Sequence, residues 1–143
     1  MNSEGLFYIG IKALITNRAG EVLLLLADTA HHRSPTEPYW DIPGGRMQEG
    51  QDIQQTLARE IYEEIGLRDF TVVRLLAPVL SKHRIPYEES RTAGLMLLVY
   101  EVMLDDSAKI TISSEHLRYE WVARAEAKDR LSAKYPESFT QSL

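Results

Sequence analysis

One segment of the chain combines a glycine pair, an arginine and three glutamates. In chain order these are Gly44, Gly45, Arg59, Glu60, Glu63 and Glu64. On a helix the three acids share a face about 100° wide, because residues three and four apart stack on one side. Acids at that spacing repel by about 0.2–0.5 kcal/mol per pair, so the face suits a site where cations neutralise it. Mg²⁺ takes oxygen ligands and accompanies phosphate oxygens, so the segment predicts metal-assisted attack of water on a phosphate.

The acids are predicted to lie on a helix over residues 52–65. Asp52 is a suitable N-terminal cap and Gly66 a C-terminal stop, and an apolar stripe runs through Ile53, Leu57, Ile61 and Ile65. The stripe lies beside the carboxylates. We therefore expect the helix to pack by one side and to present its acids at the edge of that side, near the Gly44-Gly45 turn.

The rest of the chain predicts an α/β domain, with a mixed sheet and a helix on each side. Strands are expected at residues 6–16, 21–27, 39–43, 70–80, 93–104, 110–112 and 119–122. The unbroken apolar run at 22–26 indicates a strand buried on both faces. Residues 28–38 and 81–91 are polar and are predicted as exposed loops. A second helix is expected at 123–131, and the tail 132–143 is weakly specified.

Composition limits the classes of function. The 143 residues fit one domain, 1–143, with 44% apolar and 26% charged residues, as in ordinary globular proteins. The chain has no cysteine, and its first residues lack a basic region followed by an apolar stretch. We therefore expect a cytoplasmic protein with no membrane segment. A net charge of -5 disfavours stable nucleic-acid binding, which depends on Lys and Arg.

The segment from Gly45 to Leu67 resembles the Nudix box, G-x5-E-x7-R-E-U-x-E-E-x-G-U, where U is aliphatic. Eight of its nine defined positions are met over 23 residues, and Gln51 stands where the pattern has its first Glu. Gln48 also stands where many members of the family carry Glu. The resemblance implies a Nudix-type α/β/α sandwich that is MutT-like, a Mg²⁺ cofactor that Mn²⁺ can replace, and hydrolysis of a phosphoanhydride bond.

The resemblance also implies roles for particular residues. The metal ligands would be Glu60, Glu63, Glu64 and the Gly45 carbonyl, with Glu60 serving partly as a base. Arg59 would orient the neighbouring glutamate, and the amide of Gln51 can still accept its hydrogen bond, without the charge-assisted pair that a carboxylate gives. Glu115 resembles a loop acid that reaches the metals in the family. The alternative interpretation is that Glu115 is an ordinary acidic residue of a loop.

Several other residues have both a functional and an ordinary interpretation. On their own, the helix acids would indicate an ordinary solvent-exposed face of the helix. The glycine turn and Arg59 at the family spacing favour a metal site instead. Arg46 is a candidate for phosphate binding, and Tyr39 and Trp40 for stacking on a nucleobase, against plain surface or core packing. Weaker candidates are Glu88 and Glu89 as acids and Arg84 and Arg91 as phosphate ligands, whereas His31, His32 and His83 are expected to be exposed loop residues.

The leading hypothesis is a hydrolase of a nucleoside diphosphate linked to another group. The permitted substrates are a nucleoside triphosphate, ADP-ribose, a sugar nucleotide or a dinucleoside polyphosphate, all small molecules, and the sequence does not choose among them. Gln48 and Gln51 keep open a nucleotide-binding or sensory protein with weak turnover. The retained acids disfavour a scaffold that uses the sheet for oligomer contacts alone. A homodimer is compatible with such a fold, but no interface can be read from the sequence.

Overall fold

The computed structural model describes residues 3–32, 36–105 and 108–143. Its elements, in chain order, are β1 (Phe7–Thr16), β2 (Val22–Ala27), β3 (Tyr39–Asp41), β4 (Gly44–Arg46), α1 (Ile53–Ile65), β5 (Thr71–Leu80), β6 (Ile85–Glu88), β7 (Arg91–Met103), β8 (His116–Val122), α2 (Arg124–Leu131) and α3 (Glu137–Thr140).

The strands form a mixed sheet whose main path is β3-β2-β1-β7-β5. β1 and β7 run parallel, and β4, β6 and β8 pair antiparallel with β1, β7 and β2. One apolar core lies between the sheet and α1, and a second lies between the sheet and the two C-terminal helices. This arrangement confirms the expected α/β sandwich with a mixed sheet.

β2 shows why its run of leucines is continuous. Leu23 and Leu25 belong to the core on the α1 side, whereas Val22 and Leu24 belong to the core on the other side. Alternate residues of a strand point to opposite faces, so a strand covered on both faces needs apolar residues at every position. The predicted burial on both faces is therefore confirmed.

α1 begins and ends where the sequence indicates. The Asp52 side chain accepts a hydrogen bond from the backbone N–H of Gln55, and the Gln55 side chain accepts one from the backbone N–H of Asp52, which completes a capping box. At the other end Gly66 adopts a left-handed conformation with φ 73°. Leu57, Ile61 and the rest of the apolar stripe face the core beneath the sheet.

Four expectations about the elements were wrong or incomplete. The predicted loop at 81–91 contains β6, which pairs with β7 as a hairpin. Residues 110–112 form no strand. The predicted strand at 39–43 ends at Asp41, and a separate strand, β4, follows after a bend at residues 42–43. The tail carries α3, because Phe139 supplies a buried anchor in an otherwise polar segment. Of the predicted loop at 28–38, residues 33–35 lie outside the described residues.

Candidate active site

Two of the three glutamates converge on the glycine turn. The backbone N–H of Gly44 donates a hydrogen bond of 2.8 Å to the carboxylate of Glu64. The carboxyl group of Glu60 lies directly over Gly45, where an added Cβ would come within 2.7 Å of the Glu60 Cδ. Glycine is therefore needed at position 45 for the carboxylate to approach the backbone. Glu63 differs, because its side chain is 55% exposed and pairs with Arg59 at 3.3 Å.

Arg59 connects the acids to the turn. Its Nη1 lies 3.0 Å from a carboxylate oxygen of Glu60, and its Nη2 donates to the backbone carbonyl of Arg46 at 3.3 Å. Its Nε donates to the side-chain carbonyl of Gln51 at 3.0 Å. The expectation that the amide of Gln51 still accepts a bond from this arginine is confirmed.

The buried acids resist ionisation. Burial raises the pKa of Glu64 to about 8, with repulsion from Glu60 adding to the effect, although Lys12 and the Gly44 N–H act in the opposite direction. Burial also raises the pKa of Glu60, against the attraction of Arg59. A cation between these carboxylates would favour their charged forms.

The donor set fits a hard divalent ion with an incomplete protein shell. Within residues 3–32, 36–105 and 108–143, no group of three Asp, Glu, His or Cys side chains is arranged to hold a metal. Mg²⁺, however, is usually held by one or two carboxylates, with waters and substrate phosphates completing its shell. Glu60, Glu64 and the Gly45 carbonyl offer oxygen donors of that kind, so the residues fit the expected ion.

A cavity of about 580 Å³ opens beside the turn. Among the residues that line it are Tyr39, Gly45, Arg46, Glu64 and Glu115. Of the three helix glutamates, only Glu64 lines this cavity. A smaller cavity of about 310 Å³ is lined by residues that include Glu60, Arg59 and Gln48. Arg46 lines both cavities, so a ligand that passes from one to the other would meet its side chain.

The side chains of Trp40 and Tyr39 lie in different surroundings. The Trp40 ring packs against the core on the side of the C-terminal helices, with Arg130 and Arg118 at 4.7 and 5.3 Å from the ring centroid. Tyr39 lines the larger cavity, and the ammonium of Lys134 lies 5.0 Å from its ring centroid. Of the two predicted aromatic residues, only Tyr39 is therefore placed against the larger cavity.

The start of β8 closes one side of the larger cavity. The carbonyl of Glu115 accepts a hydrogen bond of 2.9 Å from the N–H of Asp28, which fixes this loop against the end of β2. Next to Glu115 lies His116, and burial lowers the pKa of its imidazole. His31 and His32 are exposed, and both line the same cavity.

The weaker candidates lie elsewhere, on or beside the β6-β7 hairpin. Arg84 donates to the backbone and hydroxyl oxygens of Thr92, and Arg91 forms an exposed ion pair with Glu88 at 3.5 Å. Neither these residues nor Glu89 and His83 are among those that line the two cavities described above.

A buried polar cluster at the cavity floor was not singled out from the sequence. Asp41 accepts hydrogen bonds from Lys12 at 3.3 Å, from the Tyr135 hydroxyl at 2.6 Å, from the Ile42 N–H at 2.8 Å and from Lys134. Burial acts to raise the pKa of Asp41, but the two lysines and Tyr135 outweigh it and hold the pKa well below its usual range. A lysine within the apolar run of β1 was a signal that could have pointed to Lys12. The weakly specified tail gave no such signal for Lys134 or Tyr135.

Comparisons with known proteins agree with this geometry. Residues 7–142 match a family model described as NUDIX domain. Over 88 residues the chain is 32% identical to the RNA pyrophosphohydrolase of Shewanella piezotolerans, covering 60% of this chain and 46% of that protein. Over 78 residues it is 28% identical to Nucleoside diphosphate-linked moiety X motif 6 of Mus musculus, covering 54% of this chain and 23% of that protein. The matches thus span less than half the length of these two relatives.

Solved structures show the same fold. A MutT protein from Methanosarcina mazei Go1 superimposes with a TM-score of 0.72 at 25% identity, covering 99% of this chain and 93% of that one. An Ap4A hydrolase from C. elegans superimposes with a TM-score of 0.72 at 20% identity, covering 94% and 93% of the two chains, which is a likeness of fold alone. In the part of the chain that the structure describes, no helix is long and apolar enough to cross a membrane.

Proposed function

Since the chain belongs to the NUDIX domain family, we propose that it hydrolyses a phosphoanhydride bond in a nucleoside diphosphate linked to another group, with Mg²⁺ or Mn²⁺ as cofactor. The observation that supports this most is the convergence of Glu60 and Glu64 on the Gly44-Gly45 turn. Glu60, Glu64 and the Gly45 carbonyl would hold the metal, and Glu63 would join them by rotation of its exposed side chain. When bound, a divalent ion supplies charge neutralisation of phosphoryl oxygens and lowers the pKa of a bound water.

The chain's own residues prepare this site. Arg59 holds Glu60 and Glu63, and the Gly44 N–H holds Glu64, so the carboxylates are oriented before a substrate arrives. In this proposal Arg46 binds phosphate at the junction of the two cavities and Tyr39 contacts the nucleoside. Glu60 and Glu115 are the candidates for accepting the proton of the attacking water. Trp40 is a weaker candidate for substrate contact, because its ring packs against the core and two arginines already lie against it.

Exchange of single acids for amides tests the proposal. Glu63→Gln and Glu64→Gln should each lower kcat with Mg²⁺ by about 100-fold or more, because each removes charge that holds the cation and several kcal/mol of transition-state stabilisation depends on it. The exposed Glu49→Gln is a matched control and should leave kcat unchanged. The assay is release of phosphate or nucleoside monophosphate from a panel of nucleotides. If the variants hydrolyse the panel as fast as the wild-type protein, the proposal is wrong.

A nucleotide-binding protein with weak turnover is the second candidate, and the Arg59–Gln51 contact favours it. A charge-assisted hydrogen bond to a carboxylate is about twice as strong as one to a neutral acceptor, so Arg59 is held less firmly than a glutamate would hold it. Gln51→Glu should raise kcat strongly if this loss limits turnover. An unchanged kcat in an already active protein would exclude the second candidate.

The finer assignments rest on the same proposal. The substrate class is taken to be a small nucleotide with a polyphosphate chain, since Arg46, Lys12 and Lys134 line the larger cavity. We further propose one domain over 1–143 in the cytoplasm, because the sheet joins elements from Phe7 to Val122 and the chain contains no cysteine. Stable nucleic-acid binding is not part of the proposal, and a homodimer stays a prediction.

A further inference from the structure

Two lysines share one oxygen of a buried aspartate at the floor of the larger cavity. Lys12 and Lys134 both donate to Oδ2 of Asp41, and both line the cavity. They arrive from distant parts of the chain, one from the middle of β1 and the other from the segment between α2 and α3. The lysine side chains are 9% and 20% exposed, so they are not ordinary surface cations.

The aspartate has no capacity left for a ligand, whereas the lysines do. Asp41 Oδ1 accepts from the Tyr135 hydroxyl and the Ile42 N–H, and Oδ2 accepts from the two ammonium groups. An ammonium carries three N–H donors. The described contacts use two donors of Lys12, to Asp41 and the Ile42 carbonyl at 2.9 Å, and one donor of Lys134. The remaining donors belong to residues that line the cavity.

The two ammonium groups gather at one carboxylate oxygen, Oδ2 of Asp41, and Lys12 also attracts the carboxylate of Glu64. Like charges held at one oxygen repel each other. Buried charges need compensation, because removal from water costs several kcal/mol per ion. An anion that bridges Lys12 and Lys134 would offset their mutual repulsion and supply acceptors for the remaining N–H donors.

The position of Lys12 beside the glycine turn indicates which class of anion would fit. The Lys12 stem passes Gly44, where a Cβ would lie 2.5 Å from the Lys12 Cδ, and the Gly44 N–H holds Glu64. Lys12 therefore adjoins the proposed metal site across a single residue, and Lys134 joins it through the shared oxygen of Asp41. We propose that Lys12 and Lys134 form a phosphate-binding subsite that works without metal and takes the substrate phosphate next to the one that would face the metal. This inference rests on the proposed function and extends it to the polyphosphate chain.

Binding of inorganic pyrophosphate in excess EDTA tests the subsite by isothermal titration calorimetry. The wild-type protein should bind, and Lys12→Met and Lys134→Met should each weaken binding by about tenfold or more, since a hydrogen bond to a charged group is worth about 1.5–3 kcal/mol. Lys109→Met, at an exposed position, is the matched control and should bind as the wild-type protein does. If Lys12→Met does not fold, pyrophosphate binding by Lys134→Met, at the less buried position, decides whether the subsite exists.

The outcome separates the subsite from the hydrolase. Glu64→Gln should lose turnover with Mg²⁺ yet keep pyrophosphate binding in EDTA. Absence of binding by the wild-type protein in EDTA, or binding by both lysine variants as tight as that of the wild-type protein, would overturn the subsite. If the two lysine variants bind pyrophosphate more weakly than the wild-type protein but no nucleotide is hydrolysed, the subsite is supported and the proposed hydrolase activity is wrong.

Discussion

Asp41 carries the negative charge that holds together the polar cluster at the floor of the larger cavity. Its carboxylate is the shared partner of two lysines and a tyrosine that come from β1 and from the C-terminal segment. Removal of one partner from a buried ionic group usually costs about 3–5 kcal/mol, because the remaining charges lose their compensation. Asp41 therefore contributes to stability at the same place where it positions the lysines.

We predict that Asp41→Asn lowers the free energy of unfolding by about 3 kcal/mol at pH 7. The folded pKa of Asp41 is lowered, so its contribution is complete above the unfolded value of about 3.9 and is lost as the pH falls toward the folded value. The difference between the two proteins should thus be full above about pH 5 and shrink below about pH 4. Urea unfolding at a series of pH values measures this, with the exposed Asp129→Asn as control. A difference that does not change with pH would contradict the prediction.

Gly44 is the residue that keeps the lysine and the glutamate close. Its φ is 145°, and an added Cβ would lie 2.7 Å from the Lys12 Cα. Gly20 also has a positive φ, of 81°, but nothing lies within 4 Å of its added Cβ. Gly20 thus carries backbone strain alone, whereas Gly44 combines a φ that only glycine adopts readily with a clash against β1.

Gly20→Ala should lower the free energy of unfolding by about 1–2 kcal/mol through strain alone. Gly44→Ala should cost at least about 2 kcal/mol more, because the backbone of β1 has to move to admit the methyl group. Urea unfolding of both variants gives the comparison. Equal costs would show that position 44 has more room than the structure indicates.

At the scale of elements, α1 connects local sequence signals to the site. Its cap, its apolar stripe and its terminal glycine fix where the helix lies, and the acids follow from that placement. These features could be predicted from the sequence because each is local. β6 could not, since its pairing with β7 gives structure to a charged segment that has no apolar run of its own.

Asp52→Ala should lower the free energy of unfolding by about 1 kcal/mol, because the first turn of α1 loses its cap. Turnover per folded molecule should stay close to that of the wild-type protein, since the acids lie at the other end of the helix. Gln54→Ala, at an exposed position of the same turn, is the control. Thermal and urea unfolding with a nucleotide assay measure both effects, and a loss of turnover without a loss of stability would count against this account.

The candidate site was only partly predictable for the same reason. The convergence of Glu60 and Glu64 on the turn follows from helix geometry and the glycine pair. The contacts of Asp41 do not, because they depend on where the segment after α2 packs. Lys134 meets Asp41 across 93 positions of sequence, and no local pattern encodes such a contact.

At the scale of the whole molecule, the C-terminal segment completes the second core. Phe139 is 2% exposed, and its ring centroid lies 5.2 Å from that of Tyr135, whose hydroxyl binds Asp41. The last residues of the chain therefore support the cavity floor from behind.

Phe139→Ala should lower the free energy of unfolding by about 3–5 kcal/mol, as expected when a buried aromatic ring is removed from a core. Ser138→Ala, at the exposed neighbouring position, should have little effect. Urea unfolding measures the difference. A cost below about 1 kcal/mol would mean that the segment is not an integral part of the core.

The parallel pairing of β1 with β7 affects the order in which parts of the protein fold during synthesis. Phe7 lies opposite Gly94 and Thr16 opposite Met103, so this central ladder joins positions 87 residues apart. The hydrogen bonds of such a ladder cannot form until a long loop has closed, and this requirement slows folding. During synthesis, the strand that carries Lys12 has no neighbour on that side until most of the chain has left the ribosome. We expect the candidate site to be among the last parts of the protein to become ordered.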